Sequence, residues 1–221
     1  RPNNNALKLS LVLDFMLFFW KKKQKEIETP DWEEIYKPTQ IKDLPWFSET
    51  LDKDFEKEIK ERKLKGNVLD IGTGTGTHAV QMAKLGLNVT GIDISRNAIE
   101  KAKKFWEKEK SKVNFLFDDI LHSTLLPETF DYAFDKSCFH WLMPEQRAHY
   151  ADIVYGLLKK NGILFLKVNS SRIKSNNESY SFSIKQIEEI FSKKFEIIEI
   201  RDDIVSRKGN PKMLIILKKK F

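Results

Sequence analysis

Val68-Leu69-Asp70-Ile71-Gly72-Thr73-Gly74-Thr75-Gly76-Thr77 constrains the fold of this chain more than any other stretch. Val68 to Ile71 are apolar and partly β-branched, as a buried parallel strand requires. Three glycines at alternate positions let the backbone take positive φ and approach a ligand without Cβ clashes. Thr77 to Leu85 then reads as a helix, so the turn sits at a helix N-terminus whose free N–H groups can meet a polar ligand.

The spacing narrows the ligand. A dinucleotide fingerprint needs G-x-G-x-x-G, and the sixth position counted from Gly72 is Thr77. A P-loop ends in Gly-Lys-Ser/Thr, and no lysine lies in the turn. The pattern Asp-x-Gly-x-Gly-x-Gly from Asp70 resembles motif I of the class I S-adenosylmethionine-dependent methyltransferases.

Two further acidic positions follow at strand ends. Asn88 to Asp93 is a second buried-type strand, and Asp93 stands about twenty residues beyond the glycine turn, where an open α/β sheet sets a carboxylate against ribose hydroxyls. A third strand, Val113 to Phe117, runs into Asp118-Asp119-Ile120. The resemblance implies that Asp119 accepts from the adenine amino group and that the Ile120 N–H meets the ring, with Asp118 the close competitor. A lone Asp at a strand end is commonly a cap or turn former, and Ser95 after Asp93 suits a cap for a helix from Arg96. Three such residues at successive strand ends instead mark the crevice of a doubly wound sheet.

The remaining chain alternates strands and helices. Strands begin near Val68, Val89, Val113, Tyr132 and Ile163, with helices at 77–85, 96–110 and 144–160, the last closed by Asn161-Gly162 as a C-cap. A polar segment, 170–181, reads as a mobile loop. A helix over 184–192 precedes strands at 195–200 and 213–217, which form an antiparallel pair because no helix separates them, only the turn from Arg207 to Pro211. The expected fold is α/β, a Rossmann-like, doubly wound, seven-stranded sheet, mostly parallel with an antiparallel last strand. Residues 26–65 form an N-terminal helical cap, with Asp31 capping a helix from Trp32 and a face of Leu51, Phe55, Ile59 and Leu64 on the next; 66–221 form the core.

Trp32, Tyr36 and Pro45-Trp46 ahead of the turn, Phe130 to His140 and Leu166 to Ser170 are similar to the tellurite-resistance and thiopurine methyltransferase-like group. That group more often has Asp-Arg-Gly where this chain has Asp135-Lys136-Ser137. The resemblance implies methyl transfer from S-adenosylmethionine to a small nucleophile, a thiol, chalcogen or arsenic species, with S-adenosylhomocysteine as product. The implied cofactor residues are Asp70, Gly72, Thr73, Gly74, Gly76, Asp93, Ile94, Asp119, Ile120, Asp135 and Trp46. Trp46 either covers the sulfonium through a cation–π contact or staples the cap to the core. His140, just past the fourth strand, is the candidate catalytic base, against a histidine that lines the pocket without proton transfer. Cys138 lacks the Pro-Cys or Thr-Cys context of a nucleophile and reads as a small buried hydrophobe.

Composition limits the alternatives. A length of 221 residues suits one domain. One cysteine excludes an internal disulfide and a cysteine-based zinc site, and points to a reducing, cytoplasmic setting. His78, His122 and His149 show no ligand spacing, so no metal is expected. The net charge of +7 raises nucleic-acid binding, but the lysines lie in short runs at segment ends and on solvated faces. Residues 1–25 form an apolar and basic extension. Its apolar stretch, Leu9 to Trp20, falls short of the ~20 residues that span a membrane and carries Asp14. It reads as a packed or interfacial helix, or as sequence upstream of the domain, in a monomer or homodimer. Two other readings remain open: a methyltransferase acting on protein lysine or RNA, and a non-catalytic subunit that docks through Leu9 to Trp20.

Overall fold

The strand from Asn67 to Ile71 (β1) starts at half-buried Asn67 and is then buried and apolar except for Asp70, and it lies inside a seven-stranded sheet with neighbours on both sides. The others are β2 (Asn88–Asp93), β3 (Val113–Phe117), β4 (Phe130–Lys136), β5 (Leu158–Asn169), β6 (Phe195–Asp202) and β7 (Lys212–Lys219). Their order is β3-β2-β1-β4-β5-β7-β6, parallel from β3 to β5, with β7 antiparallel to both neighbours. The computed structural model describes residues 29–109, 112–171, 179–202 and 211–221. The 1–25 extension with its apolar stretch, the middle of the 170–181 segment and the 207–210 turn lie outside the described residues.

Period-two alternation feeds two cores, one on each face. Leu69, Ala133, Leu164, Leu166, Ile215 and Leu217 pack with Tyr150 and Val154 of α5 (Arg147–Leu157) and Phe191 of α6 (Ile184–Phe191). Val68, Phe134, Phe165, Leu214 and Ile216 face Phe55 and Ile59 of α2 (Lys53–Glu61), Val80 of α3 (Thr77–Lys84) and Ile99 of α4 (Arg96–Trp106). Strands covered on both faces need these continuous apolar runs. The helix expected from Leu51 starts at Lys53, so Phe55 and Ile59 form its apolar face while Leu51 and Leu64, just outside its ends, are buried in the same core. Asp31 caps α1 (Trp32–Tyr36) by accepting from the Glu34 N–H at 3.1 Å.

The helix expected over 144–160 is shorter. A 3₁₀ turn, Pro144–Gln146, leads into α5, which stops at Leu157 because buried Leu158 already pairs with Phe130 as the first residue of β5. Asn161-Gly162 therefore caps no helix. Pairing jumps from Phe130↔Leu158 to Tyr132↔Ile163, and the extra residues form a bulge in which Asn161 takes a φ of 63°. Likewise α4 ends at Trp106, with a 3₁₀ turn over Glu107–Glu109.

A buried ionic cluster fastens the cap to the far half of the sheet. Lys167 of β5, 1% exposed, donates to both Asp52 oxygens at 2.7 and 2.8 Å and to Asp54 at 2.8 Å. Arg201 of β6 and Arg62 share the Glu58 carboxylate, each at 2.6 Å. Burial opposes ionisation of Asp52, yet the charge and hydrogen bonds of Lys167 hold its pKa below the ordinary carboxylate value. Removing one member leaves buried charge uncompensated. Lys167→Met is expected to lower unfolding free energy by about 3–5 kcal/mol in urea titrations; a loss below about 1 kcal/mol would show that the cluster is not a structural tie.

Candidate functional site

The chain crosses from β1 to β2 on one side and returns after β3 to β4 on the other, so the sheet reverses direction between β1 and β4. In an open α/β sheet the crevice lies outside the carboxyl ends at that point. Here those ends carry Asp70, Asp93 and Asp135, each buried at 3%, 8% and 0% exposure.

The glycine turn covers the end of β1. Gly72, Gly74 and Gly76 have φ of 66°, 50° and 75°, which a side chain would strain. Gly76 occupies the N-cap of α3 and supplies no side-chain acceptor to the helix's first N–H groups. The Thr73 hydroxyl donates to Asp70 at 2.6 Å, and the Thr73 N–H donates to the Ile92 carbonyl of β2 at 2.8 Å.

Asp93 joins two turns. Its carboxylate accepts from the Gly74 N–H and the Ser95 N–H, both at 2.9 Å. Ser95 in turn caps α4 by accepting from the Ala98 N–H at 3.1 Å. Ser95, not Asp93, is therefore the side-chain cap of α4, and Asp93 lies at the carboxyl end of β2. Beyond it, Ile94 and Phe117 present half-exposed side chains at the ends of β2 and β3, with the Arg96 guanidinium 4.4 Å over the Phe117 ring.

Asp118 and Asp119 divide differently from their sequence order. Asp119 caps the turn Ile120–His122, taking the Leu121 N–H at 3.0 Å and the His122 ring nitrogen at 2.7 Å. Asp118 accepts from Thr124 with one oxygen, while its buried Oδ1 has no partner among the described residues. Ile120 is buried. Asp135 is turned inward, accepting from the Cys138 and Phe139 N–H groups and from the Tyr150 hydroxyl at 2.7 Å.

Burial sets the electrostatics. It lifts the Asp70 pKa to about 7 and those of Asp93 and Asp135 to about 6, against the hydrogen bonds that favour their ionised forms. Burial, with Lys212 nearby, holds His140 down to about 3, so it is a neutral imidazole whose buried Nδ1 has no partner among the described residues. His78 is likewise held to about 3 by burial and by Lys136, whose Nζ is 3.5 Å from its Nε2. Burial and Asp135 push the Cys138 thiol well up. No group of three or more metal-ligating side chains occurs among the described residues.

The cap closes the crevice from above. Trp46, 44% exposed, donates its indole N–H to the Tyr36 hydroxyl at 3.1 Å, and Trp32 meets the Trp46 and Trp141 rings edge-on at 5.9 and 5.3 Å. The Glu33 carboxylate reaches α4, accepting from the Ser95 hydroxyl at 2.6 Å and from Asn97 through its N–H and its amide at 3.1 and 2.7 Å. Sequence reasoning gave neither Glu33 nor Tyr36 a role; their i, i+3 spacing on α1, which puts both on one face, was the available signal.

Residues 68–162 match the model of a methyltransferase domain family. The chain is 33% identical over 130 residues to an uncharacterised methyltransferase of Schizosaccharomyces pombe, covering 56% of this chain and 90% of that protein. It is 34% identical to a probable thiol methyltransferase 2 of Arabidopsis thaliana, over 67% of this chain and 68% of the relative. It is also 32% identical to human EEF1A lysine methyltransferase 2, over 68% of each. A solved SAM-dependent methyltransferase from Methanosarcina mazei superimposes with a TM-score of 0.66 at 19% identity, over 77% of this chain and 98% of that one. The crevice at the sheet's switch point, the glycine turn and these relatives lead to one conclusion: the chain belongs to the class I methyltransferases, enzymes whose methyl donor is S-adenosylmethionine.

Proposed function

We propose that this enzyme methylates a small nucleophile that reaches the crevice already anionic or readily ionised, a thiol or a related chalcogen or arsenic species. The carrying observation is the pair of histidines, His78 and His140, that burial holds near pKa 3. Neither is a base matched to neutral pH. A thiolate needs none, whereas an alkylammonium must first lose a proton. His140 then lines the pocket, and the relative described as a thiol methyltransferase supports this reading.

The donor site follows the strands. Adenine would lie between Ile94 and Phe117 with Asp118 or Asp119 toward its amino group, the ribose at Asp93, and the amino-acid end over Gly72, Thr73, Gly74 and Gly76. Neighbouring strands are about 4.8 Å apart, so this places the sulfonium toward β4. The residues fit such a ligand: the uncapped N-terminus of α3 suits its carboxylate, Asp93 suits the ribose hydroxyls as an acceptor, and Asp70, once ionised, suits its ammonium. When bound, S-adenosylmethionine supplies a methyl group activated on a sulfonium. The chain's own part is to orient it, to exclude water through the Trp32, Trp46 and Trp141 cluster, and to hold the acceptor in line. Asp135 supports from behind, fixing the Cys138–Phe139 turn.

A second reading, protein-lysine methylation, draws on the human relative and on that aromatic cluster, whose faces would attract an ammonium.

Turnover of S-adenosylmethionine with small thiols or chalcogen oxyanions, and no label on total protein, is the expected result of an acceptor screen; label on protein alone would instead favour lysine. Asp93→Ala should weaken S-adenosylhomocysteine binding in calorimetry by about 10–100-fold, the worth of one or two hydrogen bonds to a charged group. Asp70 and Asp93 are raised in the free enzyme and ionise fully against a cationic ligand. Binding should therefore release protons at pH 6 and tighten between about pH 5 and 7.5. Identical calorimetric enthalpies in buffers of different ionisation heat would contradict this.

A further inference from the structure

Tyr36 is buried, and its hydroxyl stands over the glycine turn: a Cβ placed on Gly74 would lie 2.6 Å from Oη. That oxygen accepts the Trp46 indole N–H, and among the described residues its proton has no acceptor. An indole N–H donates only, so the contact fixes the hydroxyl as acceptor toward Trp46 and leaves its O–H to donate elsewhere. Burial and the nearby Asp93 charge raise the Tyr36 pKa, which keeps that donor protonated.

Three residues earlier on α1, Glu33 grips α4. It takes the Ser95 hydroxyl and both nitrogens of Asn97, and these bonds, led by that of Ser95, lower its pKa. Residues i and i+3 share a helix face, so fixing Glu33 on α4 fixes Tyr36 above Gly74. The same Ser95 donates its N–H to Asp93, which holds the Gly74 N–H. Cap, ribose carboxylate and glycine turn are therefore joined through one serine.

We propose that Tyr36 is a positioning residue whose hydroxyl donates to the carboxylate of the cofactor's amino-acid end, and that Glu33 is the latch that places it there. This rests on the donor site proposed above. The cap thus completes the site as well as covering it, and the donor is held by the cap at its amino-acid end and by the sheet at its adenosine end.

Two probes separate the ends. S-adenosylhomocysteine carries the amino acid, and 5′-methylthioadenosine keeps the adenosine and thioether without it. In calorimetry, Tyr36→Phe should weaken S-adenosylhomocysteine about tenfold, the lower range for a hydrogen bond to a charged group, and leave methylthioadenosine within about twofold. Glu33→Ala, which touches no ligand, should move the two affinities in the same pattern but less, with thermal melting confirming that both variants fold. Equal effects of Tyr36→Phe on both ligands, or none on either, would overturn the role of the hydroxyl. Unchanged affinities in Glu33→Ala would overturn the latch. Wild-type protein that binds neither ligand would remove the donor site itself, an outcome distinct from the others.

Discussion

The crevice depends on one carboxylate. Asp93, at the end of β2, accepts the Gly74 N–H from the turn after β1 and the Ser95 N–H from the start of α4. Without it the glycine turn, which has positive φ at Gly72, Gly74 and Gly76, would lack a side-chain anchor across the strands. Both oxygens keep further lone pairs, since an ionised carboxylate accepts about four hydrogen bonds. The same group can therefore organise the protein and still meet a ligand hydroxyl. Burial raises its pKa, which makes its charge state responsive to what occupies the crevice.

Around that anchor the protein separates two electrostatic regions. Buried carboxylates stand at the carboxyl ends of β1, β2 and β4, at Asp70, Asp93 and Asp135. Cations gather at the ends of β4, β5 and β7, where Lys136, Lys167 and Lys212 stand near Asp52, His78 and Ser137. Burial keeps His78 and His140 uncharged beside those lysines, because a second positive charge there would be repelled as well as desolvated. A positively charged donor suits the first region. A nucleophile that needs no base suits the second.

The sequence was most informative where geometry leaves few choices. Positive φ at Gly72, Gly74 and Gly76 tolerates little besides glycine, and strands buried on both faces must be apolar, so β1 and the turn were readable directly. Asp31, Ser95 and the Phe55 and Ile59 face followed from capping and periodicity and are present, with Leu51 and Leu64 buried just outside that helix. Asn161-Gly162 misled because the pair suits both a helix C-cap and a strand bulge, and only the pairing of Leu158 with Phe130 decides between them. Asp118 and Asp119 are adjacent and chemically identical, so their separation into a residue with a buried orphan oxygen and a turn cap required coordinates. Glu33 and Tyr36 act through residues sixty-two and thirty-eight positions away, Ser95 and Gly74, so their i, i+3 spacing puts them on one face but does not say what that face meets.

We place the methyl donor in the crevice outside β1 and β2, its adenosine on one side of Asp93 and its amino acid over the glycine turn. A crystal structure with S-adenosylhomocysteine tests it most directly. The expected density has adenine between Ile94 and Phe117, ribose hydroxyls on Asp93, and the carboxylate within hydrogen-bond reach of Tyr36. Density outside this crevice, or a ribose turned away from Asp93, would contradict it.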